Sequence, residues 1–420
     1  MSTAFLSKVE AAIARAEALP DTERRAIFTA FSPERIRAEA QALQARKDAG
    51  EDLPLFGTLV SVKDLYDEAG EVTGAGSRLL AGRVPASSDC ASVAKLKQAG
   101  ALMFGRSSMS EFAYSGVGLN PHHGTPSSAL VPGGMPGGSS SGAAVCVGLE
   151  LTDAAIGTDT GGSLRIPAAA NGIWGFKPSQ GLIDDAGVHP LAPTYDVPGP
   201  MAATLPLTRA LAEVMAGQGL SAPLPDTLRL AIPDGAFTDG LSPEVAALFE
   251  AEKARLAELG HELVPVDLSA IGAAVGLNKI IVSVEAHRIY ADDLERLEEV
   301  GDPRVLTRIR FAETLSEAEI AGAYDKRAAV VTQFNAAMAG LDALVAPTLL
   351  RLPPSIDEVE AEFDRLNMEM LRNTSLVNLI DGCALAMPTP GLAPAFSMTM
   401  LVGVKGADAA LFAIAERLTA

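Results

Sequence analysis

The chain has 420 residues, of which 48% are hydrophobic and 20% are charged, and its formal net charge is −19 at pH 7. This acidity argues against direct binding to nucleic acid or to an anionic membrane, because both repel a negative surface. No apolar run reaches the roughly 18 uncharged residues of a membrane-spanning helix. The composition therefore predicts a soluble protein that acts on a small molecule.

The cysteines and the start of the chain bear on the compartment. Cys90, Cys146 and Cys383 are too few for a disulfide framework, and residues 1–6 lack a basic signal segment. Both features predict the reducing cytoplasm. The low charged fraction leaves room for a homodimer or a small partner subunit, whose interface would cover surplus apolar surface.

The first predicted elements are a helical segment and a strand. Residues 1–50 are rich in alanine, glutamate and arginine at helical spacing, and we expect a helical lead-in that packs outside the core. In residues 58–63, two valines on one face and Leu59 and Ser61 on the other indicate a strand buried on both sides. Lys63 ends this strand. Desolvation would lower its pKa, so a neutral Lys63 could act as a base.

A first glycine–serine turn, GGSSSG, occupies residues 137–142. The residues that follow, up to Leu149, are apolar on nearly every face and predict a buried helix. Ser139 and Ser140 would lie at the start of this helix.

A second turn, DTGGS, occupies residues 159–163. Residues 154–158 predict a short buried strand, and residues 164–170 predict a helix that stops at Asn171 and Gly172. The turn between them is a tight strand-to-helix connection. Its glycines let several backbone N–H groups point to one place, where they could hold an oxyanion.

These three segments, in this order, resemble the amidase signature family, whose members cleave amides with a serine, cis-serine and lysine triad. The resemblance places the lysine on Lys63, the bridging serine in cis peptide linkage on Ser139 and the acylated nucleophile on Ser163, with Ser140 as a supporting hydrogen-bond partner. It extends to residues 70–77, 120–121, 124–126, 175–178 and 346–348, and so spans most of the chain.

Two positions depart from the family pattern. Leu59 stands where the family often has proline, which predicts a local packing change. Ser141 stands where many relatives have glycine, and it is tolerable in the first turn of a helix because serine is a good capping residue there.

The resemblance implies a proton relay without metal or organic cofactor. Neutral Lys63 would accept a proton from Ser139, Ser139 would accept one from Ser163, and Ser163 Oγ would attack the amide carbonyl. The oxyanion would face four backbone N–H groups, those of Thr160, Gly161, Gly162 and Ser163.

Further residues near these turns are structural or substrate-contact candidates. Asp159 and Arg165 flank the second turn, and we expect a buried pair that holds its shape in preference to substrate contacts. The resemblance makes Ala113, Tyr114 and Ser115 candidates for contact with the substrate. A metal site has little support, since His122 and His123 lack a third spaced ligand.

Other interpretations of the first turn are weaker. Glycine and serine alone would suit a flexible linker, but a linker does not predict the buried helix that follows. Residues 138–142 also match the G-x-S-x-G elbow with Ser140 as nucleophile, but that motif needs a preceding strand, and residues 130–136 are broken by proline and glycine. A P-loop would need Gly-Lys-Ser/Thr at the helix start.

The later chain completes an α/β fold. Residues 228–232, 243–259 and 262–266 predict a β-α-β unit that extends the sheet, and residues 284–340 predict amphipathic surface helices. We therefore expect one domain, with a mixed central sheet between helical layers, over residues 1–420. Residues 57–200 would form the core with the catalytic residues, and residues 201–420 would complete the sheet and the substrate entrance.

The predicted function is hydrolysis of a small carboxamide to an acid and ammonia or an amine. The GGSSSG turn and residues 284–287 are similar to those of small-amide hydrolases such as malonamidase. One alternative is a glutaminase subunit of a tRNA-dependent amidotransferase, which would pass ammonia to a partner but is usually longer. Another is a catalytically silent binding module of the same fold, which we would expect to lack triad residues.

Overall fold

A single sheet of 11 strands runs through the protein in the computed structural model, which describes residues 2–419. In chain order the strands are β1 (Phe28–Ala30), β2 (Leu59–Lys63), β3 (Leu102–Ser107), β4 (Ala154–Asp159), β5 (Trp174–Lys177), β6 (Val197–Ala202), β7 (Arg229–Asp234), β8 (Glu262–Asp267), β9 (Ala343–Pro347), β10 (Cys383–Met387) and β11 (Thr399–Gly403). Across the sheet their order is β1-β3-β2-β4-β6-β5-β10-β11-β9-β7-β8.

The strand directions make this a mixed sheet. Strand β2 is parallel to both β3 and β4, and β7 is parallel to both β8 and β9. The pairs from β4 through β6, β5, β10 and β11 to β9 are antiparallel, as is β1 with β3. The prediction of a mixed central sheet is confirmed.

Helices cover both faces of the sheet. In the described part of the chain they are α1 (Ser2–Ala18), α2 (Asp21–Ile27), α3 (Pro33–Asp48), α4 (Ala91–Gln98), α5 (Ser141–Gly148), α6 (Arg165–Asn171), α7 (Leu205–Ala216), α8 (Pro243–Glu258), α9 (Ser269–Ala273), α10 (Gly276–Tyr290), α11 (Leu294–Val300), α12 (Pro303–Arg310), α13 (Glu317–Ala337), α14 (Ile356–Ala361), α15 (Phe363–Leu379) and α16 (Asp408–Thr419). Side chains of β10 alternate between the faces: Cys383 and Leu385 pack with α7, α8 and α16, and Ala384 packs with α13 and α15. The expected α/β sandwich is therefore present.

The N-terminal segment differs from the prediction. Residues 28–30 form the edge strand β1, in which Phe28 lies opposite Ser107 of β3. Ile13 of α1 and Ile36 of α3 are fully buried and belong to one apolar cluster with Phe104 of β3. The expectation that this lead-in packs outside the core is wrong, because its apolar residues form a stripe that covers one end of the sheet.

The later elements agree with the sequence pattern. Helix α8 joins the parallel strands β7 and β8, which form the sheet edge opposite β1. Ser242 caps α8 by accepting a hydrogen bond from Val245 N at 3.3 Å. The helical region expected from residue 284 already begins with α10 at Gly276.

Candidate active site

Lys63 is the last residue of β2, and every residue of that strand is buried. Because β2 and β4 are parallel neighbours, their carboxyl ends meet at one edge of the sheet. There Lys63 Nζ donates hydrogen bonds to Ser139 Oγ at 2.7 Å and to Thr158 Oγ1 at 2.9 Å. Burial lowers the pKa of Lys63 to about 7, against the opposing influence of Asp159 and Asp196. A substantial fraction of this amine is therefore neutral near pH 7.

Leu59, which stands where the family often has proline, uses its backbone N–H in a hydrogen bond. The backbone N–H of Leu59 donates to Asp153 Oδ2 at 2.8 Å, and proline would have no such donor. The same carboxylate accepts from Lys8 of α1 at 2.7 Å. The start of β2 is thus tied to the N-terminal helix.

Ser139 reaches Lys63 from the loop before α5. The peptide bond between Gly138 and Ser139 is cis, and the Ser139 carbonyl accepts from Ser110 N at 3.1 Å. A side chain at Gly138 would come within 2.5 Å of Gly118 N, so only glycine fits beside this neighbouring loop. Ser139 itself is fully buried.

Ser140 and Ser141 occupy the start of α5. Ser140 is the N-cap residue, but its hydroxyl donates a long 3.5 Å bond to the Thr158 carbonyl instead of capping the helix. Ser141 is the first residue of α5, as the tolerance of serine there requires, but among residues 2–419 its Oγ is buried without a hydrogen-bond partner and does not cap the helix. The described chain between β3 and α5 holds only a short 3-10 turn, so no strand directly precedes these serines. The elbow interpretation therefore lacks its structural context.

The turn between β4 and α6 is shaped by its glycines and by α15. Gly162 has φ +140°, and a Cβ there would lie 2.1 Å from Thr374 Oγ1. The same Thr374 hydroxyl donates to the Gly161 carbonyl at 2.7 Å. Within residues 2–419, no hydrogen bond occupies the four backbone N–H groups of Thr160, Gly161, Gly162 and Ser163. These four donors are therefore unpaired in the described chain.

Ser163 closes this turn and is 3% exposed. Within the described chain its hydroxyl makes no hydrogen bond, so no bond joins Ser163 to Ser139. Of the two contacts that a lysine–serine–serine relay needs, the structure shows the one between Lys63 and Ser139. The second contact, between Ser139 and Ser163, is absent from residues 2–419.

Asp159 and Arg165 form a buried ion pair across the turn. Arg165 donates to Asp159 from Nε at 3.0 Å and from Nη2 at 2.9 Å. Asn378 of α15 bridges the two, donating to Asp159 and accepting from Arg165. Burial alone would raise the pKa of Asp159, but Arg165 holds it below its ordinary value. The two buried charges thus compensate each other, as expected for a pair that holds the shape of the turn.

The three substrate-contact candidates occupy different environments. Ala113 lines a pocket that also includes Thr158, Thr160 and Asp196. The Tyr114 carbonyl accepts from Arg308 at 2.6 Å, and Ser115 donates to Asn367 at 3.1 Å. Of the three, Ala113 is the one that lines this pocket.

Several residues of the site were absent from the sequence prediction. Thr158 is the second partner of Lys63, and its signal was a polar residue within a buried strand. Asp196 accepts from the Thr160 hydroxyl and from the backbone N–H groups of Leu191 and Ala192. Burial raises the pKa of Asp196. Asp196, Thr374 and Asn378 belong to no local motif, so no pattern in the sequence pointed to them.

The remaining polar residues bear on cofactors and compartment. Cys90, Cys146 and Cys383 are buried and carry free thiols. His122 lies 2.9 Å from Glu111, and residues 2–419 contain no group of three His, Cys, Asp or Glu side chains placed to hold a metal ion. Over the same residues, none of the helices combines the length and the apolar character that crossing a membrane requires.

Comparison with known proteins shows clear relatives. A family model described as Amidase matches residues 7–393. The chain is 35% identical over 376 residues to 2-amino-5-chloromuconic acid deaminase of Comamonas testosteroni, covering 84% of this chain and 79% of the relative. It is 33% identical over 357 residues to one subunit of the glutamyl-tRNA(Gln) amidotransferase of Synechococcus sp. strain RCC307, covering 75% and 73%. A solved amidase structure superposes with a TM-score of 0.90 at 30% identity, covering 99% of this chain and 95% of that one.

Proposed function

This chain belongs to the amidase family, and we propose that it hydrolyses a small carboxamide through an acyl-enzyme intermediate on Ser163. The family and its relatives make it a hydrolase of C–N amide bonds. The proposal adds the nucleophile, the proton relay and the small size of the substrate.

One observation carries the relay: the buried amine of Lys63 lies 2.7 Å from Ser139 Oγ. A fully solvated lysine would be protonated at pH 7 and could not accept a proton. Burial brings the pKa of Lys63 to about 7, which matches a general base that works near neutrality. Thr158 Oγ1, at 2.9 Å from Nζ, fixes the amine toward Ser139.

In the proposed first half-reaction, Ser163 Oγ attacks the amide carbon while its proton passes to Ser139 Oγ. The Ser139 proton passes in turn to Lys63 Nζ. When the tetrahedral intermediate collapses, the C–N bond breaks and the relay returns one proton to the leaving nitrogen. In the second half-reaction, water attacks the ester carbon and gives one proton to the relay. The bond between the acyl carbon and Ser163 Oγ then breaks, the relay returns that proton to Ser163 Oγ, and the acid is released.

The oxyanion of both tetrahedral intermediates would lie against the turn of residues 160–163. Support comes from its unoccupied backbone N–H groups, as seen within residues 2–419, and from Thr374 and Asn378, which hold the turn from α15. Preorganised donors of this kind stabilise charge that develops in the transition state without reorganising during the reaction.

A second candidate function is the glutaminase subunit of a tRNA-dependent amidotransferase. The similarity to the Synechococcus amidotransferase over 75% of this chain supports it. In that case a partner protein would receive the ammonia. A silent binding module has less support, because Lys63, Ser139 and Ser163 are all present and Lys63 is in contact with Ser139.

Compartment and assembly belong to the same proposal. The three buried cysteines with free thiols support a reducing cytoplasmic location. A homodimer or a small partner subunit is supported by the low charged fraction of 20%.

Ammonia release from a panel of aliphatic, dicarboxylic, ureido and aryl amides plus glutamine tests the function. We expect turnover of at least one small amide, and mass spectrometry of the quenched enzyme should show an acyl adduct on Ser163. Ser163→Ala should lack both, whereas Ser141→Ala, which removes another buried hydroxyl, should keep both. Turnover of glutamine alone, or only with added partner, would favour the amidotransferase function. An acyl adduct on the Ser163→Ala variant would contradict the assignment of Ser163 as the nucleophile.

A further inference from the structure

Arg327 of α13 is a partly enclosed cation with few partners. Its side chain is 16% exposed, and the carboxylate oxygen paired with it, Asp381 Oδ1, is 3.9 Å away. Nη2 donates a 3.3 Å bond to the Asn378 carbonyl. Nε is buried and, within residues 2–419, has no hydrogen-bond partner. A guanidinium offers five N–H donors in a planar fork, so most of the capacity of Arg327 is unused by the described chain.

Tyr195 lies directly beneath this cation. The guanidinium carbon of Arg327 is 4.7 Å from the centre of the Tyr195 ring, within the range of a cation–π contact. Tyr195 is 2% exposed, and its hydroxyl is buried without a hydrogen-bond partner among the described residues. Burial raises the pKa of Tyr195 against the opposing influence of the adjacent Arg327, so the phenol keeps its proton and can donate. Two donors with spare capacity therefore lie side by side, an arrangement that costs stability unless a ligand or water uses it.

Tyr195 and Arg327 are each linked to the proposed oxyanion turn through one intermediate residue. Tyr195 directly precedes Asp196, which accepts from the Thr160 hydroxyl. On the other side, Asn378 accepts from Arg327 through its carbonyl and donates to Asp159 through its side chain. Arg327 and Tyr195 are thus each one residue removed from the turn that ends in Ser163.

Among residues 2–419, Glu285 forms no ion pair with Arg327, although its charge acts together with burial to raise the pKa of Tyr195. Glu285 Oε1 accepts from the Thr194 hydroxyl and from Tyr324, and its Oε2 accepts from Thr194 N. Glu285 is therefore held by uncharged donors.

We propose that Arg327 and Tyr195 form a subsite for a carboxylate on the acyl part of the substrate, which makes the substrate a monoamide of a dicarboxylic acid. This inference rests on the proposed amide hydrolysis. A carboxylate is the planar acceptor that a guanidinium fork recognises, and the phenol supplies a further donor. Binding energy from this remote group would orient the amide carbonyl on the 160–163 turn.

Matched amide pairs test the subsite. Malonamate and propionamide, and succinamate and butyramide, differ by a carboxylate that replaces a methyl group. We expect the wild-type enzyme to prefer the acid of at least one pair. Arg327→Met should lower kcat/KM for that acid about 10- to 100-fold, as the loss of a charge-assisted hydrogen bond does, and change kcat/KM for its neutral partner by less than about threefold. Tyr195→Phe should lower the preference less, and Arg327→Lys should restore part of it.

Arg296→Met serves as the control, because Arg296 is exposed and pairs with Glu299 on the surface. Thermal unfolding and circular dichroism establish that each variant is folded. Equal kcat/KM losses for the acid and its neutral partner in folded Arg327→Met would overturn the proposal, since they indicate a structural role. An unchanged ratio would overturn it as well.

Calorimetry with malonate and succinate separates this inference from the proposed function. We expect at least one of the two to bind wild type and Ser163→Ala, and to bind Arg327→Met at least about tenfold more weakly. Binding that depends on Arg327 in a protein that turns over no amide would support the subsite and contradict the hydrolase. Amide turnover without preference for acids, together with no dicarboxylate binding, would overturn the subsite and leave the hydrolase standing.

Discussion

The Nζ atom of Lys63 lies 2.7 Å from Ser139 Oγ at the buried carboxyl end of β2. Its other hydrogen-bond partner in the described chain is a second hydroxyl, that of Thr158. Both partners are uncharged, so burial dominates the titration of the amine and lowers its pKa to about 7. A lysine held in this way by two hydroxyls can exchange a proton with one of them.

The first prediction concerns pH. The proposed relay needs neutral Lys63, so kcat/KM should rise with pH through about 7 and level off above it. Below that pKa the amine is protonated, and kcat/KM should fall about tenfold per pH unit. The measurement is the pH profile of kcat/KM with an uncharged amide, whose own ionisation does not contribute. A profile that is flat between about pH 5.5 and 8 would contradict a lysine base.

Replacement of the lysine gives a second prediction. Lys63→Met removes the amine with little change in length, and we expect kcat to fall about 10²- to 10⁴-fold while the fold persists. Lys177→Met is the matched control, because Lys177 is also fully buried, with a pKa lowered to about 8 by burial. Lys177 donates to the carbonyls of Pro178 and Gly382. Its replacement should therefore lower the melting temperature, while kcat should fall much less than in Lys63→Met.

The third prediction separates the serines. Ser139→Ala should lower kcat by about 10²-fold or more, because it removes the hydroxyl that contacts Lys63 and that the proposed relay places between Lys63 and Ser163. Ser140→Ala should cost less than about tenfold, since Ser140 Oγ makes only a 3.5 Å bond to the Thr158 carbonyl in the described chain. The measurement is the steady-state kcat of the two variants, which shows which of the two serines takes part in the reaction. A larger loss in Ser140→Ala would favour the elbow interpretation.

A fourth prediction concerns the turn. Gly162→Ala should lower kcat about 10²-fold or more, because the added Cβ would lie 2.1 Å from Thr374 Oγ1 and displace the proposed oxyanion donors. Gly82→Ala is a suitable control, since within residues 2–419 nothing lies within 4 Å of a Cβ there. The comparison uses kcat together with the melting temperature. Wild-type kcat in Gly162→Ala would argue against an oxyanion hole at this turn.

The ion pair behind the turn gives a fifth prediction. Arg165→Met leaves the buried carboxylate of Asp159 without its cation, and should reduce the free energy of unfolding by about 3–5 kcal/mol. Adding Asp159→Asn to the same variant should recover part of this loss, because that substitution removes the uncompensated buried charge. Urea denaturation measures both values. If the single and the double variants are equally unstable, charge compensation is not the role of the pair.

The local parts of the site could be predicted from the sequence. The alternation in residues 58–63 indicated a strand with Lys63 at its end, and strand β2 ends there. The glycines at 137–138 and 161–162 indicated turns before helices, and α5 and α6 begin just after them. Such signals are readable because hydrophobic period and glycine placement act over a few neighbouring residues.

The N-terminal segment was harder to predict. Strand β1 has three residues and leaves no pattern that sequence reasoning could separate from the helices around it. Its position is set by pairing with β3, in which Ala30 lies opposite Arg106, a residue far along the chain. The strand conformation of residues 28–30 therefore depends on pairing with a distant strand and not on their local sequence.

Local patterning in the sequence was enough to determine the fold class, the buried position of Lys63 and the two serine turns. The distant side chains that complete the site were set by tertiary packing instead. Helix α15 brings Thr374 and Asn378 to the turn of residues 159–163, and α13 places Arg327 over Tyr195. Contacts of this range depend on how helices pack on the sheet, and no local periodicity encodes that packing.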